Sequence, residues 1–216
     1  MIYELIYFFS RWNLSTIEAE KLKSDQTRAQ LDTLKNQISP HFLFNSLNTL
    51  VAIIPENQQQ AIEFTQKLSE VYRYILECKE KELVLLETEL NFIRSYLFLL
   101  KIRYPENLTV DYNINKEHLN KLVAPLSIQM LIKNALKHNI ISKSNPLSIE
   151  VYTDKGDTIT VKNKLQLKTS IENSTKTGLD NIRKRYQFLS NKSIDVRTTR
   201  ESFIVAIPLL QTIERK

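Results

Sequence analysis

His41 lies in the run Gln37-Ile38-Ser39-Pro40-His41-Phe42-Leu43-Phe44-Asn45-Ser46-Leu47-Asn48, where Gln37, His41, Asn45 and Asn48 recur at spacings of 4, 4 and 3. Those spacings put an imidazole and three amides on one face of a helix. Pro40 lacks an N–H and crowds the preceding turn, so a helix starts or kinks just before His41. An accessible imidazole offers a nucleophilic lone pair near neutral pH; the plain alternative is an inert surface histidine. A second cluster is Lys133-Asn134-Ala135-Leu136-Lys137-His138-Asn139, with Asn134, Lys137 and His138 on one helix face. An asparagine carbonyl is a hard oxygen ligand suited to Mg²⁺, and lysine is a point charge for phosphate. A solvated helix face is the alternative. The third locus, residues 174–185, sets Gly178 after a polar loop and before a helix, which is either an anion site at a helix N-terminus or an ordinary capped loop.

The elements that must position these residues follow from hydrophobic spacing. Ala61, Phe64, Leu68, Val71, Ile75 and Cys78 repeat at 3-4-3-4-3, as do Leu83, Leu86, Leu90, Ile93, Leu97 and Leu100, so two helices pack in a bundle. Cys78 falls on the first seam and reads as a small buried hydrophobe. Leu43, Leu47, Leu50 and Ile54, backed by Phe44 and Val51, predict that the His41 helix buries its other side. Residues 13–38 are polar, free of Gly and Pro, and read as a connecting helix. After Pro105 the pattern changes. Residues 108–114, 148–152, 158–161, 193–198 and 202–209 alternate as strands, with helices over 125–139, opened by Pro125, and 179–190. Helices interleaved with mostly antiparallel hairpins give an α+β sandwich.

Composition limits what the site can be made of. The 216 residues contain only two glycines, where average usage of ~7% would give about fifteen, so glycine-rich phosphate loops are nearly excluded. One cysteine rules out an internal disulfide framework and a CxxC zinc site. Residues 1–115 carry 12 Lys+Arg and 15 Asp+Glu, whereas residues 116–216 carry 18 and 9, which concentrates the net charge of +6 in the second half. These positive charges are dispersed, so direct nucleic-acid binding is not expected. The apolar start, Met1 to Phe9, is shorter than the roughly 20 residues of a membrane span. Tyr3, Tyr7, Phe8, Phe9 and Trp12 suit either contact with a membrane interface or a frayed end on a partner helix.

The three loci together resemble the LytS-type sensor histidine kinase family. Q-I-S-P-H-F-L-F-N-S-L-N is similar to its phosphoacceptor motif, K-N-A-L-K-H-N to its N box, and T-G-L-D-N-I-R-K-R-Y to its second glycine box, in the same order. The resemblance covers roughly residues 28–210, and the stretch before it, 1–27, is expected to be a juxtamembrane or connector helix. It implies a helical dimerisation and histidine phosphotransfer domain over 28–104, and a Bergerat-type ATP-binding α/β sandwich over 105–216. It makes His41 the phosphate acceptor, Asn134 the Mg²⁺ ligand, Lys137 and His138 neighbours of the ATP phosphates, and Asn139 a further cofactor-binding residue. Gly178, Leu179 and Asn181 would belong to the ATP lid. The implied partners are a second copy of the chain and a response regulator of LytTR type, at the cytoplasmic side of the membrane.

Three departures stand out. Lys133 occupies the position of the family's glutamate base, and a lysine ammonium has no lone pair to take a proton. Where the family's first glycine box, D-x-G-x-G, follows a strand, the chain has Lys162-Asn163-Lys164-Leu165-Gln166, with Asn163 at the adenine-reading aspartate. Lys176 stands at the first glycine of the second box. Two readings result: an active autophosphorylating kinase with a reduced lid, and a catalytically impaired dimeric scaffold.

Overall fold

The computed structural model describes residues 40–78, 81–154, 156–168, 177–190 and 192–211. The expected connector, residues 1–27 and on to 38, lies outside them, as do Gln37 and Lys176. The chain divides into two compact units, residues 1–47 and 48–216. Of the first, the described part is the start of helix α1 (Pro40–Ile53), whose first residue is Pro40. Much of the apolar stripe expected to be buried on α1 is instead open to solvent: Phe44 is 65% and Val51 69% exposed, Leu47 and Ile54 are exposed with them, and only Leu43 and Leu50 are half-buried.

In the second unit, α2 (Gln58–Glu77) and α3 (Leu86–Arg103) form a hairpin along the two expected seams. Asn57 caps α2 by accepting a hydrogen bond from the Gln60 amide at 3.0 Å. Phe64, Val71, Leu86 and Ile93 are almost fully buried, each contributing roughly 1.5–3 kcal/mol by leaving water. Cys78 is buried, which pushes its thiol pKa up and away from reactivity. A short antiparallel pair, β1 (Val84–Leu85) with β3 (Leu122–Val123), ties the start of α3 to the later half of the chain.

That half is a five-stranded sheet in the order β2 (Leu108–Asn113), β4 (Leu147–Asp154), β5 (Thr158–Lys164), β7 (Ser202–Pro208) and β6 (Asp195–Thr198). The β2–β4 pair is parallel and the others are antiparallel. The register aligns Val151, Val161 and Val205 across three strands, and the apolar face they share packs against α4 (Ser127–His138). Helix α4 buries Ile128, Leu131, Ile132 and Ala135 at the 3-4 spacing of an amphipathic helix, and α5 (Thr177–Ser190) packs beside it. At the β4–β5 hairpin the left-handed residue is Asp157, with φ 53°, while Gly156 has ordinary φ.

The sequence places Pro125 inside the first turn of a helix over 125–139. In the structure α4 begins at Ser127, because Leu126 precedes it with φ 65°, a conformation costing a non-glycine residue about 1–3 kcal/mol. Side chains distant in sequence hold this turn. The Ala124 amide donates to Tyr186 Oη at 3.0 Å, the Pro125 carbonyl accepts from Arg185 Nη1 at 3.1 Å, and the Leu126 amide donates to Glu89 Oε2 at 3.0 Å. Glu89 Oε2 also accepts from the Tyr74 hydroxyl at 2.5 Å, while Oε1 is buried without a hydrogen-bond partner. Complete burial therefore pushes the Glu89 carboxyl up to about 7, against the opposing pull of the Tyr74 hydroxyl and the amides opening α4.

A carboxyl whose pKa is higher in the folded than in the unfolded state binds its proton more tightly when folded. Its stabilising contribution is complete below pH about 4.5 and is lost as pH rises through about 7. The difference amounts to about 3 kcal/mol. Glu89→Gln is expected to remove this fall, so the gap in unfolding free energy between variant and wild type, followed by urea denaturation, shifts in the variant's favour between pH 5 and pH 8. A gap that stays constant over that range would contradict the assignment.

Candidate functional site

A cavity of about 450 Å³ opens between α4, α5 and the end of the sheet. Helix α4 contributes Asn134, Ala135, His138 and Asn139 at its C-terminal end, and β5 with the residues after it contributes Asn163, Leu165 and Leu167. Helix α5 supplies Gly178, Leu179, Asp180 and Arg183, and β7 supplies Phe203. The antiparallel register explains one side of the cavity: Asn163 pairs directly with Phe203, two residues beyond the Val161–Val205 pair and on the same face.

Asn134, His138, Asn139, Asn163, Gly178 and Leu179, drawn from three separate stretches of sequence, thus line one cavity. Lys133, Lys137 and Asn181 are exposed and outside its lining. His41 belongs to the other compact unit, exposed on α1, with the Asn45 amide nitrogen 3.1 Å from both ring nitrogens. Its orientation is set by an amide one helical turn on. The sequence reading missed Leu165, Leu167, Asp180, Arg183 and Phe203. Phe203 carried a signal as an inward residue of an expected strand, and Leu165, Asp180 and Arg183 lay within the quoted motif runs without being singled out.

Where a glycine box was expected, residues 164–168 form an extended strap along the end of α4. Asn139, buried, donates through Nδ2 to the Ala135 carbonyl and accepts through Oδ1 from the Gln166 amide at 2.8 Å. Gln166 Nε2 then donates to the Ile140 and Asn145 carbonyls, and the Ile140 amide donates back to the Gln166 carbonyl. Side-chain amides here satisfy the backbone that glycines would leave free to turn. Asn139 therefore acts as a structural pin as well as a lining residue. Asn163 Nδ2 donates to the Lys164 carbonyl at 2.8 Å, leaving its Oδ1 as the acceptor.

Gly178 is the glycine whose absence of a side chain matters. A Cβ there would stand 3.2 Å from Asn134 Oδ1 and 3.3 Å from Nδ2, so a side chain at the start of α5 would require the Asn134 amide to give way by a few tenths of an ångström. Among the described residues there is no group of three or more His, Cys, Asp or Glu side chains arranged to hold a metal. The donors in the cavity still fit Mg²⁺ in its usual manner of binding, with one protein oxygen, Asn134 Oδ1, beside a polyphosphate and water. Asp180, the carboxylate in the lining, is paired with Arg183 at 2.9 Å.

The electrostatics favour an anion. His138 has its pKa lowered, first by burial and then by the nearby charges of Lys137 and Lys168. Lys168 is held there by donating through Nζ to the carbonyl of Lys137 at 3.1 Å, at the end of α4. The neutral form of His138 is therefore favoured, a hydrogen-bonding group beside two cations. The ring-proton NMR titration of His138 is expected to show a midpoint below 6.5, moving up in Lys168→Gln because a neighbouring positive charge is removed. A midpoint unchanged by that substitution would show that Lys168 does not act on the ring.

Residues 29–108 match the family model described as histidine kinase. The chain is 33% identical over 204 residues to the sensor histidine kinase/phosphatase LytS of Staphylococcus aureus, in strain MRSA252 and equally in strain COL. Each alignment covers 86% of this chain and 34% of LytS, so the chain spans about a third of the length of the curated relatives it matches. Among solved structures it is similar to the catalytic domain of histidine kinase ThkA, with a TM-score of 0.42 and 19% identity, covering 60% of this chain and 97% of that one. It is also similar to the histidine kinase domain of the blue-light activated histidine kinase of Erythrobacter litoralis, with a TM-score of 0.42 and 15% identity, covering 74% and 80%.

Proposed function

Because the chain belongs to the LytS-type sensor histidine kinase family, we propose that it binds Mg·ATP in the cavity at the end of α4 and transfers the γ-phosphoryl group to His41. A homodimer then passes the group to an aspartate of a response regulator, expected to be of LytTR type. The observation carrying this reading is the cavity itself, in which Asn134, His138, Asn139, Asn163, Gly178 and Leu179 converge. In domain terms, residues 28–104 are taken as the dimerisation and phosphotransfer part and 105–216 as the ATP-binding part, preceded by a connector over 1–27.

The residues suggest how the nucleotide would be held. Leu165, Leu167, Leu179 and Phe203 offer apolar walls to a base, and Asn163 Oδ1 accepts a hydrogen bond from an exocyclic amine, which adenine has at the position where guanine carries an acceptor. Asn134 would hold Mg²⁺, which neutralises phosphate charge when bound. His138 donates a ring N–H to the phosphates, and Lys137 and Lys168 add positive potential nearby. His41, exposed and oriented by Asn45, is the nucleophile. The homodimer is supported by the solvent-exposed stripe of Phe44, Leu47, Val51 and Ile54 on α1, the kind of apolar face that marks an interface. No helix among the described residues is long and apolar enough to cross a membrane, and a membrane attachment would involve the N-terminal residues.

A second reading, the impaired scaffold, is favoured by Lys133, which is exposed and supplies no base where the family has a glutamate. Incubation with γ-labelled ATP separates the two. Wild type takes label, His41→Ala takes none, and Lys133→Glu takes it faster than wild type; label persisting on His41→Ala protein would refute the acceptor assignment. Binding is read independently by thermal denaturation, where Mg·ATP at 100 times its Kd stabilises the fold by roughly 2.7 kcal/mol. No stabilisation at millimolar Mg·ATP would leave the scaffold reading standing alone.

A further inference from the structure

Glu89 takes no part in the nucleotide cavity, yet it is a fully buried acid hydrogen-bonded to two other elements. Its carboxylate on α3 receives Tyr74 of α2 and the Leu126 amide at the mouth of α4. The same turn is held from the opposite side by α5, through Tyr186 to Ala124 and Arg185 to Pro125. Arg185 Nη2 reaches further, donating to the Lys81 and Glu82 carbonyls in the connection between α2 and α3 at 3.0 and 3.3 Å. Three successive residues, Ala124, Pro125 and Leu126, are therefore each fixed by a side chain, and those side chains come from the helical hairpin and from the helix that opens at Gly178.

Packing alone does not call for an acid here. A buried charge is commonly replaced by apolar residues without loss of stability, whereas a carboxylate at a helix N-terminus accepts the amides that the helix leaves unpaired. Helix α4 has no side-chain cap of its own, and Glu89 supplies one from a different element. Asn134 lies eight residues beyond Leu126, two turns down a rigid helix, against Gly178. α4 and α5 thus meet at both ends, at Asn134 and Gly178 beside the cavity and at the 124–126 turn beneath the hairpin. A change in the direction of α4 at the turn alters the gap between Asn134 and Gly178.

We propose that Glu89 is a positioning residue for phosphoryl transfer, fixing the direction of α4 through the 124–126 turn and so tying the α2–α3 hairpin to the nucleotide cavity. This rests on the kinase reading above. The ionised carboxylate is the stronger acceptor of these two hydrogen bonds, so loss of the proton strengthens the local tie even as the burial of the charge costs the fold overall stability. The groups that face it are Tyr74 and Cys78 from α2, and Arg185 and Tyr186 from α5.

The test compares the full chain as wild type, Glu89→Gln and Tyr74→Phe in two measurements: label uptake from γ-labelled ATP at pH 6 and pH 8, and amide hydrogen exchange without nucleotide. Glu89→Gln is expected to lower the labelling rate about tenfold at pH 8 and only about twofold at pH 6, with Mg·ATP affinity held within about threefold. Taking the ratio to wild type cancels pH effects common to both proteins. Exchange is expected to rise several-fold in residues 127–138 and 177–186 but not in β4 and β5. Tyr74→Phe shifts both measurements in the same direction by less, and carries the comparison if Glu89→Gln does not fold. Wild-type labelling at both pH values with unchanged exchange in residues 177–186 would overturn the proposal. If wild-type protein takes no label, the kinase reading fails, and exchange alone decides: raised exchange in 177–186 upholds the tie between the helices, and unchanged exchange overturns it.

Discussion

The direction of α4 depends on a leucine held in a left-handed conformation. Leu126 does not adopt φ 65° by its own preference, and the turn persists because the backbone groups of Ala124, Pro125 and Leu126 are taken up by Tyr186, Arg185 and Glu89. From that turn α4 runs along the sheet, buries Ile128, Leu131, Ile132 and Ala135, and delivers Asn134, His138 and Asn139 to the cavity. The same side chains bind the hairpin α2–α3 and the helix α5 to one point. The local strain is outweighed by interactions that exist only when all four helices are in place.

The cavity shows how a site can be framed with almost no glycine. A glycine-rich loop provides free backbone amides and tight turns; here the strap at 164–168 is shaped by the amide side chains of Asn139 and Gln166 instead. The exception is Gly178, where a close approach to Asn134 would crowd a Cβ. Positive potential comes from lysines at the C-terminal end of α4, and desolvation keeps His138 neutral beside them.

Much of this was legible beforehand. The two 3-4 seams of α2 and α3 were visible because a helix face buried against a single partner must repeat its apolar residues at that spacing. The strands were visible through alternation, and the three motif-bearing loci through residue type. The helix start at Ser127 was not, because Pro125 is a conventional first-turn residue and nothing nearby in sequence signals that Glu89, Arg185 and Tyr186 will hold Leu126 left-handed. The apolar stripe of α1 was legible as apolar but not as exposed, since hydrophobic spacing does not say whether the covering surface lies in the same chain. Leu167 carried no local mark of a cavity, and Leu165, Asp180 and Arg183 lay within the motif runs without a residue type that singles them out.

The sequence by itself determined the family, the succession of helices and strands, and the identity of six cavity residues, because these are written in residue types and short-range periodicity. Only the tertiary structure decided which of those residues meet. The pairing of Asn163 with Phe203 comes from strand register, the contact of Gly178 with Asn134 from the packing of α5 on α4, and the role of Glu89 from its burial among three other helices. Each is a long-range contact, fixed when the core closes.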